Sequence, residues 1–164
     1  MFNLPLNDIN LPYPDPLHPI VVHFVIAMVF FSFFCDVVGY FNHNQRLFEV
    51  SFWNMFVAAI AIFVAIIFGQ FEAGLAQPYA AVQPVLNWHS ILGWSLSALV
   101  VGITAWRFVI RARNPRKVPP AYLGVATLLI VLVSLQVYLG TQLVWKYGLH
   151  VEPVVKAIEQ GIIK

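Results

Sequence analysis

Residues 51–77 read SFWNMFVAAIAIFVAIIFGQFEAGLAQ, with Glu72 as the one charged side chain in the whole stretch. A bilayer core is crossed by roughly 20 consecutive apolar residues in a helix. The stretch is long enough, and proline at position 78 marks its end. Three further stretches have the same character, at about 19–41, 85–110 and 121–148. Pro19 suits a first helical turn, where a missing N–H costs nothing; Pro84 precedes the third stretch, and Pro119 and Pro120 precede the fourth. Over the 164 residues, 60% are hydrophobic and 10% charged. Soluble domains carry about 25% charged residues. The fold class expected is therefore all-α, an integral membrane four-helix bundle occupying residues 18–150.

The flanks differ from the bundle. Residues 1–17 hold no Lys or Arg but carry Pro5, Pro12, Pro14 and Pro16. They lack the basic start of a secretory signal and read as an extended arm. Residues 151–164 place Val154, Val155, Ile158 and Ile162 on one helical face, which reads as a short interfacial helix. A frayed tail is the alternative.

Charge distribution gives the bundle a direction. The ends of the first and third spans share one side with Arg46, Arg107, Arg111, Arg113, Arg116 and Lys117. Positive loops stay in the cytoplasm, so the basic 107–117 region is expected there. Both termini then face a periplasm or lumen, as in a bacterial inner membrane or a thylakoid. Tyr40, Trp53, Trp106 and Tyr122 fall at the cytoplasmic interface, and Tyr79, Trp88, Trp145 and Tyr147 at the opposite one, as aromatic belts do. In the second span Ala61, Ala65, Gly69 and Ala73 recur every four residues, as do His89, Gly93 and Ser97 in the third. Small residues at this spacing let membrane helices approach closely. Asp36, near the cytoplasmic end of the first span, has Arg46 or Arg107 as prospective partners. Cys35, the single cysteine, reads as a packing residue.

Histidines carry the functional signal. His18, His23, His89 and His150 all fall on the non-cytoplasmic side, with Glu72 at the same level; only His43 lies on the other side. Polar groups at membrane depth are expensive and tend to have partners or functions. In one reading His23 and His89, each about one turn inside its helix, are axial ligands of a haem b. Glu72 then acts on a ligand from behind, and His18 and His150 are possible additional ligands. In the other, the same groups form a structural polar cluster. Zinc or copper has less support, because no tight His-x-His or Glu-x-x-His pair seeds a site. No nucleophile–base pair, phosphate-binding loop or nucleic-acid surface is present. The chain therefore reads as non-catalytic on its own. It is expected either to carry electrons as a small b-type cytochrome subunit of a respiratory or photosynthetic membrane complex, or to serve as a cofactor-free accessory or assembly subunit. Its partners are the bilayer and other membrane subunits.

The segment LHPIVVHF at 17–24 resembles the opening signature of the domain-of-unknown-function family 2231, a group of predicted four-helix membrane proteins. Later marks follow in order: Gly69 and Glu72 closing the second helix, His89 opening the third, and Gly140-Thr141-Gln142-Leu143-Val144-Trp145 ending the fourth. The resemblance covers about 17–151 and implies the four-helix membrane fold. The chain departs from the family at Thr141 and Gln142, where a glycine and an acidic residue are common, and at Tyr147-Gly148, where His-Gly is common.

Overall fold

The structure, a computed structural model, describes residues 17–75 and 78–162. The arm expected over 1–17 lies outside the described residues except for Leu17, which opens the first helix. Four long helices follow: α1 (Leu17–Phe41), α2 (Gln45–Leu75), α3 (Gln83–Arg113) and α4 (Pro120–Thr141). A π-helical segment, Gln142–Lys146, prolongs α4, and a short helix α5 (Glu152–Glu159) ends the described chain. All four long helices are long and apolar enough to cross a membrane.

Helix ends depart from the expected spans where local hydrogen bonds extend them. α2 begins at Gln45 because Asn44 Oδ1 accepts the Arg46 N–H at 3.0 Å, a local alternative to solvent for an orphan donor. α3 runs on through Arg113, since Arg111 and Arg113 in its last turn suit the negative end of the helix dipole. The last turn of the fourth span widens to π geometry, with the Tyr147 N–H reaching back five residues to the Gln142 carbonyl at 3.2 Å.

Each helix packs on its neighbours in chain order, and α4 closes the ring on α1; the main chains of the diagonal pairs α1/α3 and α2/α4 stay farther apart. The α1–α2 contact is the most extensive. Small residues permit it: Ser32, Cys35, Ala58, Ala59 and Ala65 are buried in or beside it. Gly39 lies so close to α2 that a Cβ there would stand 2.9 Å from Phe48 Cε1. The Ser32 hydroxyl donates to the Ser51 carbonyl at 2.9 Å, which returns two buried polar atoms to a bonded state. Such contacts hold helices together in lipid, where burial of apolar surface gives no drive.

At the end of the bundle that holds the α1–α2 turn and the α3–α4 loop, all four helices meet around one cation. Arg107, on α3, is 1% exposed, and Asp36, on α1, is 0% exposed. Arg107 Nη2 donates to Asp36 Oδ1 at 3.2 Å and to the Phe48 carbonyl of α2 at 3.1 Å. The guanidinium also lies over the rings of Phe48 and of Tyr122 of α4, 5.6 and 5.5 Å from their centroids. Of the two arginines open to Asp36, the fold selects Arg107 and leaves Arg46 exposed. Tyr122, expected in an aromatic belt, is fully buried instead, because its ring serves as one wall of this cage. Trp53, Trp88 and Trp145 remain exposed, as belt residues do. Arg111 makes a second, half-exposed pair with Glu49 at 2.8 Å.

Removing one partner of a buried pair strands the other charge, at about 3–5 kcal/mol. Asp36→Ala and Arg107→Ala should each lower stability by that order in a reversible unfolding assay in detergent. The double change Asp36→Leu with Arg107→Met should recover most of the loss. A double variant as unstable as the sum of the single ones would show that the two side chains are not coupled as a pair.

Candidate functional site

At the opposite end of the bundle a cavity of about 400 Å³ opens between the helices. Its wall is apolar through Val22, Ile26, Ile62, Ile66, Leu96 and Val133. Into it the chain brings His18 and His23 from α1, Glu72 from α2, His89 from α3, Gln136 from α4 and His150 from the turn after the π-helical segment. Every histidine singled out on this side from the sequence thus lines one space.

Rings from the α1/α3 diagonal face each other across it. The centroids of His18 and His89 are 6.5 Å apart, with ring planes at 83°. The other diagonal supplies glycines. A Cβ on Gly69 of α2 would stand 2.8 Å from His18 Cε1, and one on Gly140 of α4 would stand 3.2 Å from His89 Cε1. The helices beside the two imidazoles therefore have their smallest residues where the rings pass.

Hydrogen bonds fix the imidazole tautomers. His18 Nδ1 is 2.8 Å from the Ala65 carbonyl. A carbonyl only accepts, so Nδ1 carries the proton and Nε2 the lone pair. His23 is held in the same way, its Nδ1 bonded to the Pro19 carbonyl one turn back. On the other side, Gln136 Nε2 lies 3.0 Å from the His89 carbonyl and 3.2 Å from His89 Nε2. The carbonyl requires the amide nitrogen to face it, so the same NH2 group donates to His89 Nε2, and His89 also carries its proton on Nδ1. In their neutral forms all three rings therefore carry the lone pair on Nε2. His89 Nδ1 and Gln136 Oε1 are buried and have no hydrogen-bond partner among the described residues.

Glu72 is 9% exposed, and its Oε1 accepts the His18 main-chain N–H at 3.1 Å. It therefore anchors the start of α1. His23 stands exposed at the cavity's outer edge. His150 follows Gly148 in a turn where both have positive φ, +63° and 65°. Glycine suits this conformation at Gly148, where an added Cβ would also meet Val154 Cγ2 at 2.8 Å. His150 is exposed as a residue, but desolvation beside the cavity pushes its imidazole below the ordinary histidine range; Glu72 opposes this and His18 adds to it. In the tail, α5 leaves Val154 and Val155 half-buried, as an amphipathic segment does; the Ile158 side chain and residues 163 and 164 lie outside what is described.

Among the described residues no three His, Cys, Asp or Glu side chains come together as a ligand set for a bare metal ion. The space is an apolar-walled cavity with the His18 and His89 rings at its side. Sequence reasoning missed Gln136 as a site residue. The signal was available, since Gln136 is the one amide among the side chains of α4, none of which is charged, and a lone amide at membrane depth points to a partner.

A family model described as a predicted membrane protein (DUF2231) matches residues 14–153. No curated protein and no solved structure matches the chain. The residues that mark the family resemblance in sequence, His18, Gly69, Glu72, His89 and Gly140, meet at this one cavity.

Gly69→Ala should force the His18 ring off the Ala65 carbonyl, because the new methyl would overlap Cε1. A destabilisation of about 1–3 kcal/mol is expected, with a changed ¹⁵N shift at His18 Nδ1. An unchanged shift would show that the ring does not lie over α2.

Proposed function

The chain belongs to the DUF2231 family of predicted membrane proteins, and from its site we propose that it holds a haem b and passes electrons within a membrane complex. One observation carries this proposal: His18 and His89 stand edge-on to each other at the side of an apolar cavity, 6.5 Å between centroids, each with Nδ1 as the protonated nitrogen. Two imidazoles sharing one metal ion at about 2 Å each stand with their ring centres roughly 6 Å apart. Glycines on the other diagonal keep side chains out of the space beside the rings.

Each residue has a defined task. His18 and His89 bind. His23, the α1 ligand expected from sequence together with His89, competes with His18 from the outer edge of the same cavity. The Ala65 carbonyl holds the His18 ring by its Nδ1–H and makes Nε2 a better donor. Glu72 fixes the main chain from which His18 projects. The aliphatic wall excludes water from the bound group. When bound there, a haem b supplies one reversible electron at its iron. In this reading the chain is a carrier that works beside partner subunits. A cofactor-free accessory role is the second reading, favoured by one fact: Gln136 already occupies His89 Nε2.

A reduced-minus-oxidised spectrum of protein purified from haem-replete cells tests the proposal. A b-type α band is expected, lost in His89→Ala and in His18→Ala and kept in His23→Ala. A wild-type protein without the band sinks the cytochrome role. Loss in His23→Ala with retention in His18→Ala reassigns the α1 ligand to the residue expected from sequence.

Orientation belongs to the same proposal. Arg46, Arg113, Arg116 and Lys117 are exposed at the end of the bundle away from the cavity, and the positive-inside rule places that end in the cytoplasm. The cavity then opens toward the periplasm or a lumen. With Cys35 buried, a Pro115→Cys protein should react with a membrane-impermeant maleimide only in inverted vesicles, and a Gln160→Cys protein only in right-side-out ones. The reverse pattern would put the site on the cytoplasmic face.

A further inference from the structure

We propose that Gln136 is a placeholder: it holds the His89 imidazole by Nε2 while the cavity is without ligand, and releases that nitrogen when the cavity fills. The proposal rests on the haem-binding role and assigns its control to a residue outside the ligand set.

Three features support it. First, the amide takes the very atom a ligand needs. Gln136 Nε2 donates to His89 Nε2 at 3.2 Å while anchored on the His89 carbonyl at 3.0 Å. Second, α3 leaves room for it. One turn beyond His89 stands Gly93, where a Cβ would lie 3.2 Å from Gln136 Nε2. Third, the pair is incompletely bonded. Gln136 Oε1 and His89 Nδ1 are both buried without a partner among the described residues. A polar atom buried without a partner carries an uncompensated desolvation cost, so this pair gains less from staying together than a fully bonded one does. A ligand arriving at Nε2 competes with one amide hydrogen bond, and the carbonyl anchor on His89 is left intact.

Competition of this kind lowers apparent affinity in proportion to the fraction of sites it blocks. Removing the competitor should tighten binding, whereas removing a structural support should weaken it. The test is to titrate hemin into the cofactor-free full chain in detergent micelles, for the wild type and for Gln136→Leu, with Gln136→Met as a second variant in case the leucine fails to fold. The variant is expected to bind roughly fivefold tighter or more, the scale of one hydrogen bond, with the spectrum of the two-histidine complex unchanged. In parallel, ¹⁵N-histidine NMR without hemin should show His89 protonated on Nδ1, with an Nε2 shift that moves on loss of the amide. Equal or weaker binding by a folded variant overturns the placeholder and leaves the haem role standing. Binding by neither protein overturns the haem role and the release step together, and an Nε2 shift that ignores the substitution overturns the hold itself.

Discussion

A charge that water cannot reach has to be held by the protein, and Arg107 is held by all four helices. Asp36 of α1 balances it, the Phe48 carbonyl of α2 takes a second hydrogen bond, and the rings of Phe48 and of Tyr122 of α4 cover its faces. In hydrocarbon an ionised side chain without such a cage costs several kcal/mol. The cage therefore fixes which helices are neighbours and how far each is rotated. Alternative packings that keep the apolar surfaces buried or lipid-facing would leave Asp36 or Arg107 stranded.

The two ends of the bundle answer the same constraint differently. At the Arg107 end the small residues of α1 and α2 close the gap and Ser32 and Ser51 satisfy each other across it, although Asp36 Oδ2, Arg107 Nε and the Tyr122 hydroxyl are buried without a hydrogen-bond partner among the described residues. At the other end the helices stand around a cavity, and the polar groups in it are only partly matched. His18 finds a main-chain carbonyl and Glu72 finds a main-chain N–H, while His89 and Gln136 each keep one buried atom unbonded. A bundle built only for stability has no reason to gather imidazoles from three parts of the chain at its open end. One end is closed around a buried cation, and the other is open around the cavity.

The π-helical turn at Gln142–Lys146 and the left-handed residues after it belong to the cavity end. They close the chain back on itself through the Leu149 N–H to the Leu143 carbonyl at 2.9 Å. Tyr79 ties this turn to the loop before α3 by donating to the Tyr147 carbonyl at 2.8 Å. His150 is carried to the cavity by this turn and not by a helix, so its position depends on the local backbone more than that of the other three histidines does.

The amino-acid sequence by itself determined the spans, their number and the side on which the histidines gather. Apolar length and proline placement suffice for the first two, and topology follows once spans alternate in direction. It also placed Ala65 and Gly69 on a close-contact face, because a four-residue repeat reads directly as one side of a helix. The partner of Asp36, the burial of Tyr122, the entry of Gln136 and the choice of ring facing His89 were decided only in three dimensions. Each depends on how far a helix is rotated about its own axis, and membrane helices that are apolar all round carry little sequence record of that rotation. His18 and His23 show the point: five residues apart, they differ by about 140° around α1. The fold turns His18 toward His89 and leaves His23 at the cavity's outer edge, a difference set by the packing of α1 on α2.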